Sequence, residues 1–363
     1  MVFDQLWWAA AALVVIVLLD GGDPRLWLVL GAVVGIGLET KDTMVVWALA
    51  LALGTVLTQG RRVLRGPWPW AGAAVAAALV APNIVWQVLH GWPSVTFAHH
   101  LSRQTASEWP FPKLVLASLV LLGPLGVPVA GAGAVHLLRR PAVRAVGIAS
   151  VVALGILLVT GGKPYYPGAI WPVLLGAGAV AAEARVRAPS SRRMAVGAVT
   201  VAAAIVLPVT LQVLPTATMA RSGVVKAINP DLLETLGWPE MVGTVESVAQ
   251  TLPTGERPSA TVLTSNYTEA SMLSVYARPG DLPVLGRQNS AWMWGRPDRL
   301  AGTVVAVGFQ RDELTRWWGD VQPAAVVTNR YGAPNKEEGE RVFICRDPTA
   351  APGRIWYAIR RYS

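Results

Sequence analysis

Residues 1–214 are an almost unbroken apolar sequence cut only by short basic clusters, and this pattern restricts the possible folds more than any other feature. Over the whole chain 15% of residues are charged, against about 25% in a soluble domain. The deficit is uneven. Residues 1–214 hold 15 Lys and Arg against 7 Asp and Glu, a net of +8, whereas residues 215–363 hold 16 against 15, a net of +1. The first region reads as a set of membrane helices and the second as an ordinary water-soluble domain. The fold class expected is therefore mainly α, a polytopic transmembrane helix bundle over 1–214, followed by a small α/β extracytoplasmic domain over 215–363. With 16 Trp and long aliphatic runs the chain is far from a disorder composition. The one cysteine, Cys345, excludes an internal disulfide framework and a multi-cysteine zinc site.

A membrane helix needs about 20 apolar residues. Eight segments qualify or nearly so: 2–19, 26–38, 43–57, 71–89, 114–138, 145–160, 169–182 and 194–214. The second and third are short and separated only by Glu39-Thr40-Lys41-Asp42, which reads as a tight turn near one membrane face. Basic residues cluster in every second loop: Arg25, then Arg61, Arg62 and Arg65, then Arg139, Arg140 and Arg144, then Arg185, Arg187, Arg192 and Arg193. By the positive-inside rule that face is cytoplasmic. The positive charge thus maps topology, and nucleic acid is not an expected partner. Lys41, Arg103, Lys113 and Lys163 are left on the outer face. This orientation puts Met1 outside with no basic segment before the first helix, unlike a signal peptide. An odd number of helices is therefore expected upstream, so that the chain reads as N-terminally shortened.

The outer face would offer Asp4, the Glu39–Asp42 turn, a loop from His90 to Pro112, and Gly161-Gly162-Lys163-Pro164-Tyr165-Tyr166-Pro167. Ionisable groups at membrane depth are functional candidates because desolvation is costly. Carboxylate, lysine and tyrosine together suit a sugar carried on a polyprenyl phosphate. Asp4 is the candidate catalytic residue, activating or positioning an acceptor. Lys41, Lys163, Tyr165 and Tyr166 are candidates for the donor phosphate. His90, Trp92, His99, His100 and Arg103 form a possible substrate loop. Each also has a plainer reading: Asp4 as a helix end in water, Lys41 as a snorkelling side chain, the tyrosines as an interfacial belt, and His99-His100 as part of a surface loop. The adjacent histidines have no carboxylate at helical spacing, so no metal site is assigned; no cofactor is expected, and metal dependence stays open.

The runs Phe3-Asp4-Gln5-Leu6-Trp7-Trp8, Gly37-Leu38-Glu39-Thr40-Lys41, Pro82-Asn83-Ile84-Val85-Trp86-Gln87 with His90-Gly91-Trp92-Pro93, and Gly162-Lys163-Pro164-Tyr165-Tyr166 occur in this order. Together they resemble bacterial family-39-type glycosyltransferases, relatives of protein O-mannosyltransferases and of the lipid A aminoarabinose transferase. The resemblance extends to Thr264-Ser265-Asn266-Tyr267-Thr268-Glu269-Ala270 and Asn335-Lys336-Glu337-Glu338-Gly339. It implies a GT-C-like membrane fold in the plasma membrane. It also implies transfer of a hexose or pentose from a polyprenyl-phosphate donor, on the outer face, to an acceptor glycan, lipid or protein. Asp4 matches an acidic position at the outer end of a helix, and Lys41 the lysine of a Leu-Thr-Lys-type turn. Here Glu39 and Asp42 stand where apolar or aromatic residues are more usual. An acidic pair that the family carries in an earlier outer loop has no counterpart. A non-catalytic remnant or accessory subunit is the alternative reading. A transporter would require internally repeated halves, which are not evident.

In 215–363, strands are expected over 260–263, 303–309, 324–328 and 341–345, with helices over 269–276 and 312–318, hence a small α/β layer. Gly286-Arg287-Gln288-Asn289-Ser290 with Trp292 and Trp294 is a polar-aromatic cluster suited either to stacking on sugar rings or to contact with the membrane surface. Asn266-Tyr267-Thr268 fits a glycosylation sequon, and Cys345 reads as an inert buried thiol.

Overall fold

The computed structural model describes residues 2–362 apart from positions 60, 61, 64, 184, 185, 187, 277 and 279, and the backbone alone at 2, 104, 106 and 107. Arg61, Arg185 and Arg187 of the basic clusters lie outside the described residues. Two compact units emerge, Met1–Ala203 and Ala204–Ser363.

The first unit is helical: α1 Val2–Leu19, α2 Leu26–Thr40, α3 Met44–Gln59, α4 Pro67–Leu89, α5 Pro93–Glu108, α6 Phe111–Leu122, α7 Gly126–Arg139, α8 Arg144–Val159, α9 Trp171–Glu183 and α10 Pro189–Thr210, whose last residues belong to the second unit. Among the described residues three helices, Pro67–Leu89, Pro141–Val159 and Pro189–Thr210, are long and apolar enough to cross a membrane. A fourth crossing results if the bent pair α6–α7 counts as one span. Phe3–Leu19, Leu26–Thr40, Met44–Gln59 and Trp171–Glu183 are apolar but shorter. On α10, Val196, Val199, Val201 and Ile205 are each 60–66% exposed, an outward apolar surface that suits lipid rather than water.

Four sequence expectations need correction here. The single span expected over 114–138 is two helices meeting at 97°. Gly123 adopts φ 76°, where a side chain would be strained, and Pro124 follows it, so the helix cannot continue. The expected loop from His90 to Pro112 is mostly α5. Pro93 opens that helix, and Ser94 anchors its first turn by donating its backbone N–H to Gln87 Oε1 at 3.2 Å and accepting from Gln87 Nε2 at 2.5 Å. Arg192 and Arg193 are not in a loop but in the first two turns of α10. The short helix expected over 312–318 ends early, as described below.

Packing in this unit uses missing side chains. A Cβ on Gly31 of α2 would collide with the Gly72 carbonyl of α4, and one on Gly133 of α7 with the Leu174 carbonyl of α9. Small residues let backbones approach closely where lipid removes any hydrophobic drive between helices. The core itself gathers Trp8, Ala11, Ala12 and Val15 of α1 with Met44 and Trp47 of α3 and Val146, Ala149 and Ala153 of α8. Trp8 and Trp47 are fully buried and stacked at 4.9 Å, and Trp47 Nε1 donates to the Trp8 carbonyl at 2.9 Å.

The second unit holds α11 Thr216–Arg221, α12 Gly223–Ile228, α13 Trp238–Thr251, β1 Thr261–Thr264, α14 Tyr267–Tyr276, β2 Val284–Gly286, α15 Asn289–Met293, β3 Val304–Val307, α16 Arg311–Leu314, β4 Trp318–Val326, β5 Arg341–Pro348 and α17 Pro352–Ala358. The sheet order is β2-β1-β3-β5-β4. β2, β1 and β3 are parallel; β5 runs antiparallel to β3 and to β4. Alternation divides the central strands between two cores. Leu263, Val304 and Ala306 pack with Trp318, Phe343, Ile355 and Trp356 on one face, while Val262, Val305 and Val307 pack with Met241, Val245 and Met272 on the other. Trp318, expected at the end of a helix, begins β4 instead. Gly319 and Pro323 mask the strand in the sequence; both are tolerated because β4 is an edge strand, with a register irregularity between Pro323 and Ala325. Cys345 is fully buried, and burial pushes its thiol up to about 12, as an inert core residue requires.

Candidate functional site

One face of α1 explains where Asp4 points. Positions 4, 8, 11, 12 and 15 recur at helical spacing and are all buried, so Asp4 continues the stripe that carries Trp8 into the core. Only 2% of Asp4 is exposed. It is therefore no helix end in water. Neighbouring polar residues fix this first turn: Gln5 Nε2 donates to the Gly168 carbonyl at 3.1 Å, and Trp7 Nε1 to Thr40 Oγ1 at 3.1 Å. The start of α1 is thereby tied to the α2–α3 turn and to the segment between α8 and α9.

Those contacts bring Lys41 to Asp4. Its Nζ lies 3.4 Å from Asp4 Oδ2, 4.7 Å from the ring centroid of Tyr166 and 5.9 Å from that of Tyr165. The ammonium is thus bounded by a carboxylate and two aromatic faces, a geometry in which cation–π attraction adds to the ion pair. Neither the Asp4 oxygens nor Lys41 Nζ has a hydrogen-bond partner among the described residues. For a carboxylate so deeply buried this is unusual, since buried polar atoms are nearly always satisfied.

The tyrosines are held from two sides. The Tyr166 ring packs against Gly162 where a side chain would stand, and the Pro164 carbonyl accepts from Ser118 Oγ of α6 at 2.9 Å. Burial raises the Tyr166 phenol. Asp42 is raised as well, by its own burial and by the neighbouring charge of Glu39, which accepts a hydrogen bond from Asn83 Nδ2 at 3.3 Å.

Of the residues singled out in the sequence, the structure gathers Asp4, Lys41, Tyr165 and Tyr166. Lys163 lies in the same segment, half-buried, and its backbone carbonyl accepts from the Tyr166 N–H at 3.0 Å; its ammonium makes no ion pair among the described residues. The other group lies at the α4–α5 junction and along α5. His90 stacks on Trp86 at 4.4 Å and donates Nδ1–H to its carbonyl at 2.8 Å. Trp92, at φ 57°, caps the start of α5, while His99, His100 and Arg103 lie exposed along that helix. Among the described residues no group of three His, Cys, Asp or Glu could hold a metal ion. Sequence reasoning passed over Gln5, Trp8 and Asn83 as positioning residues; the helical stripe through Asp4 and Trp8 was the available signal.

In the second unit, Glu269 is 1% exposed. Its carboxylate accepts from Ser265 N at 2.8 Å, Asn266 N at 3.2 Å and Asn266 Nδ2 at 2.8 Å, while Asn266 Oδ1 accepts from Glu269 N at 2.9 Å. This reciprocal cap opens α14. Desolvation outweighs the hydrogen bonds and lifts the group to about 8, with Glu340 and Glu337 adding repulsion. Asn266 of the sequon is thus a helix cap. Of the polar-aromatic cluster, Trp292 is buried and stacked on Trp356 at 5.9 Å, whereas Trp294 is 80% exposed.

Residues 2–86 match the family model described as dolichyl-phosphate-mannose-protein mannosyltransferase. The matched segment includes Asp4 and Lys41 and ends before Lys163, Tyr165 and Tyr166. No curated protein and no solved structure matches significantly.

Proposed function

We propose that the chain is an integral-membrane glycosyltransferase that moves a sugar from a polyprenyl-phosphate donor to an acceptor glycan, lipid or protein at the outer face of the plasma membrane. The observation carrying this reading is the buried Asp4–Lys41 pair beneath Tyr165 and Tyr166. The family likeness over residues 2–86 supports mannosyltransferase-like chemistry for the segment that supplies that pair. The exposed apolar helices support a bilayer setting. Basic loops favour the opposite face as cytoplasmic, which makes the Asp4 end and the domain over 215–363 extracytoplasmic.

Lys41 holds the donor phosphate, with Lys163 and the tyrosine hydroxyls completing its surroundings. Phosphate binding draws the ammonium away from Asp4 and leaves a desolvated carboxylate beside the glycosyl centre. Asp4 then accepts the acceptor's hydroxyl proton as the new C–O bond forms. The bond from the sugar carbon to the phosphate oxygen breaks, and polyprenyl phosphate leaves with the electron pair, its added charge held by Lys41.

The test uses the full chain in nanodiscs with a labelled polyprenyl-phosphate sugar. Lys41→Ala weakens donor binding by about tenfold or more, the loss of one charge-assisted contact. Asp4→Asn abolishes transfer while donor binding survives. Donor binding unchanged in Lys41→Ala removes Lys41 from the phosphate site.

A further inference from the structure

The α/β unit carries a polar cavity that the transferase reading does not use. It measures about 420 Å³ and is lined by Arg287, Arg316, Arg360 and Arg361 with Glu313 and Trp317, among other residues. That volume lies within the range of small-molecule sites, about 300–1,000 Å³. Four guanidinium groups against one carboxylate leave the lining at +3.

Its place in the sheet is informative. β1 leads through α14 to β2 on one side, and the chain then returns past β1 to β3 on the other. The strand order therefore reverses between β1 and β3. In open α/β sheets, ligands bind outside the carboxyl ends of the parallel strands at such a switch point. Arg287 directly follows β2 and Phe309 closely follows β3, and both line the cavity.

The basic wall is built rather than incidental. Arg287 is 7% exposed. Its Nε donates to the Ser265 carbonyl at 3.3 Å, and its guanidinium stacks on Phe309 at 4.3 Å. Backbone hydrogen bonds from Arg361 N to the Arg287 carbonyl and from Asn289 N to the Arg361 carbonyl, both 3.0 Å, clip the C-terminal arginines beside it. Arg360 is ordered by the faces of Trp292 and Tyr362, at 4.1 and 4.4 Å. Glu313 meets Arg287 at 3.2–3.5 Å and keeps 40% of its side chain exposed. It is a loose internal carboxylate on a buried cation.

We propose that this cavity binds a phosphate monoester, which displaces Glu313 from Arg287 and draws Arg316 and Arg361 onto its remaining oxygens. Planar forks suit a phosphate bidentately, and a lining of +3 favours a dianion over a single carboxylate. Trp317 offers an aromatic wall to the group that bears the phosphate. The phosphate comes either on a soluble sugar or on a lipid headgroup.

The experiment is calorimetric titration of the full chain, carrying Lys41→Ala to remove the principal phosphate contact of the helical site, in phosphatidylcholine nanodiscs. Glucose 1-phosphate, inorganic phosphate and uncharged methyl glucoside are the probes. Glucose 1-phosphate binds and methyl glucoside does not. The exposed pair Arg316→Gln/Arg361→Gln weakens binding about tenfold or more. Glu313→Gln tightens it, which a merely structural carboxylate would not do. Thermal unfolding of the same proteins with phosphatidic acid in the nanodisc provides the second arm. Stabilisation there that is lost in the double arginine variant, without binding of the soluble probes, assigns the phosphate to a headgroup. No response in either arm, or equal responses from the parent and the double variant, overturns the proposal.

Discussion

Asp4 in the helical unit and Glu269 in the α/β unit are both nearly sealed from solvent, yet they are held in opposite ways. Asp4 has a cation 3.4 Å away and no hydrogen-bond donor among the described residues. Glu269 has three N–H donors and faces the charges of Glu337 and Glu340. A carboxylate that accepts three N–H bonds within its own helix cap is committed to starting α14. A carboxylate with unused acceptor capacity and a displaceable lysine retains that capacity for a substrate. Burial alone does not distinguish a functional acid from a structural one. The partners do.

Acidity provides the largest test of this contrast. Glu269 is raised in the folded protein to about 8 from an ordinary 4.5, so the native state holds its proton more tightly than the unfolded chain. Its contribution to stability is intact below about pH 4.5 and declines as pH rises towards 8, by up to about 1.4 kcal/mol per pH unit. Denaturant unfolding of the α/β unit at pH 5, 6.5 and 8 reads this slope. Glu269→Gln flattens it, and an unaltered slope in that variant breaks the assignment.

Next in size is the lysine partner. Lys41→Met leaves Asp4 buried without a countercharge and destabilises the helical unit by roughly 1–3 kcal/mol, less than for a fully buried pair because Lys41 keeps solvent contact. Adding Asp4→Asn recovers most of the loss, a coupling measured by a double-mutant cycle on the unfolding curves. A loss in the double variant equal to the sum of the two single losses shows that the two groups act independently. On the Glu269 side, Asn266→Ala removes the reciprocal cap and costs about 1 kcal/mol, seen as a lower denaturant midpoint. The smallest effect belongs to the solvent-exposed pair Arg316–Asp312 at 3.9 Å. There Asp312→Asn changes stability by no more than about 0.5 kcal/mol, and a larger shift means that Asp312 does more than neutralise Arg316.

The legibility of the two regions in the sequence also differs. Apolar run length reveals the helices of the first unit other than the polar α5, and the Gly-Pro at 123–124 marks the break that run length alone conceals. Asp4, Lys41 and the tyrosines stand out as rare polar groups between apolar runs, but their convergence does not, because nothing local states which helices pack together. In the α/β unit, β3 is plain from four consecutive β-branched or small apolar residues. β4 is hidden by Gly319 and Pro323, because tolerance of proline depends on an edge position that only the assembled sheet defines. Arg287, Glu313, Arg360 and Arg361 are scattered over more than 70 residues and carry no common spacing.

The sequence by itself determined that an apolar helical region precedes an α/β region, and which polar residues are scarce enough to matter. These follow from local hydrophobic periodicity and from the price of desolvating a charge. Only the tertiary structure decided that Lys41 neutralises Asp4 under Tyr166, and that four distant arginines line one cavity. Such pairings depend on backbone approach at Gly31, Gly133 and similar positions and on the order of strands in a sheet, long-range geometry that no local pattern encodes.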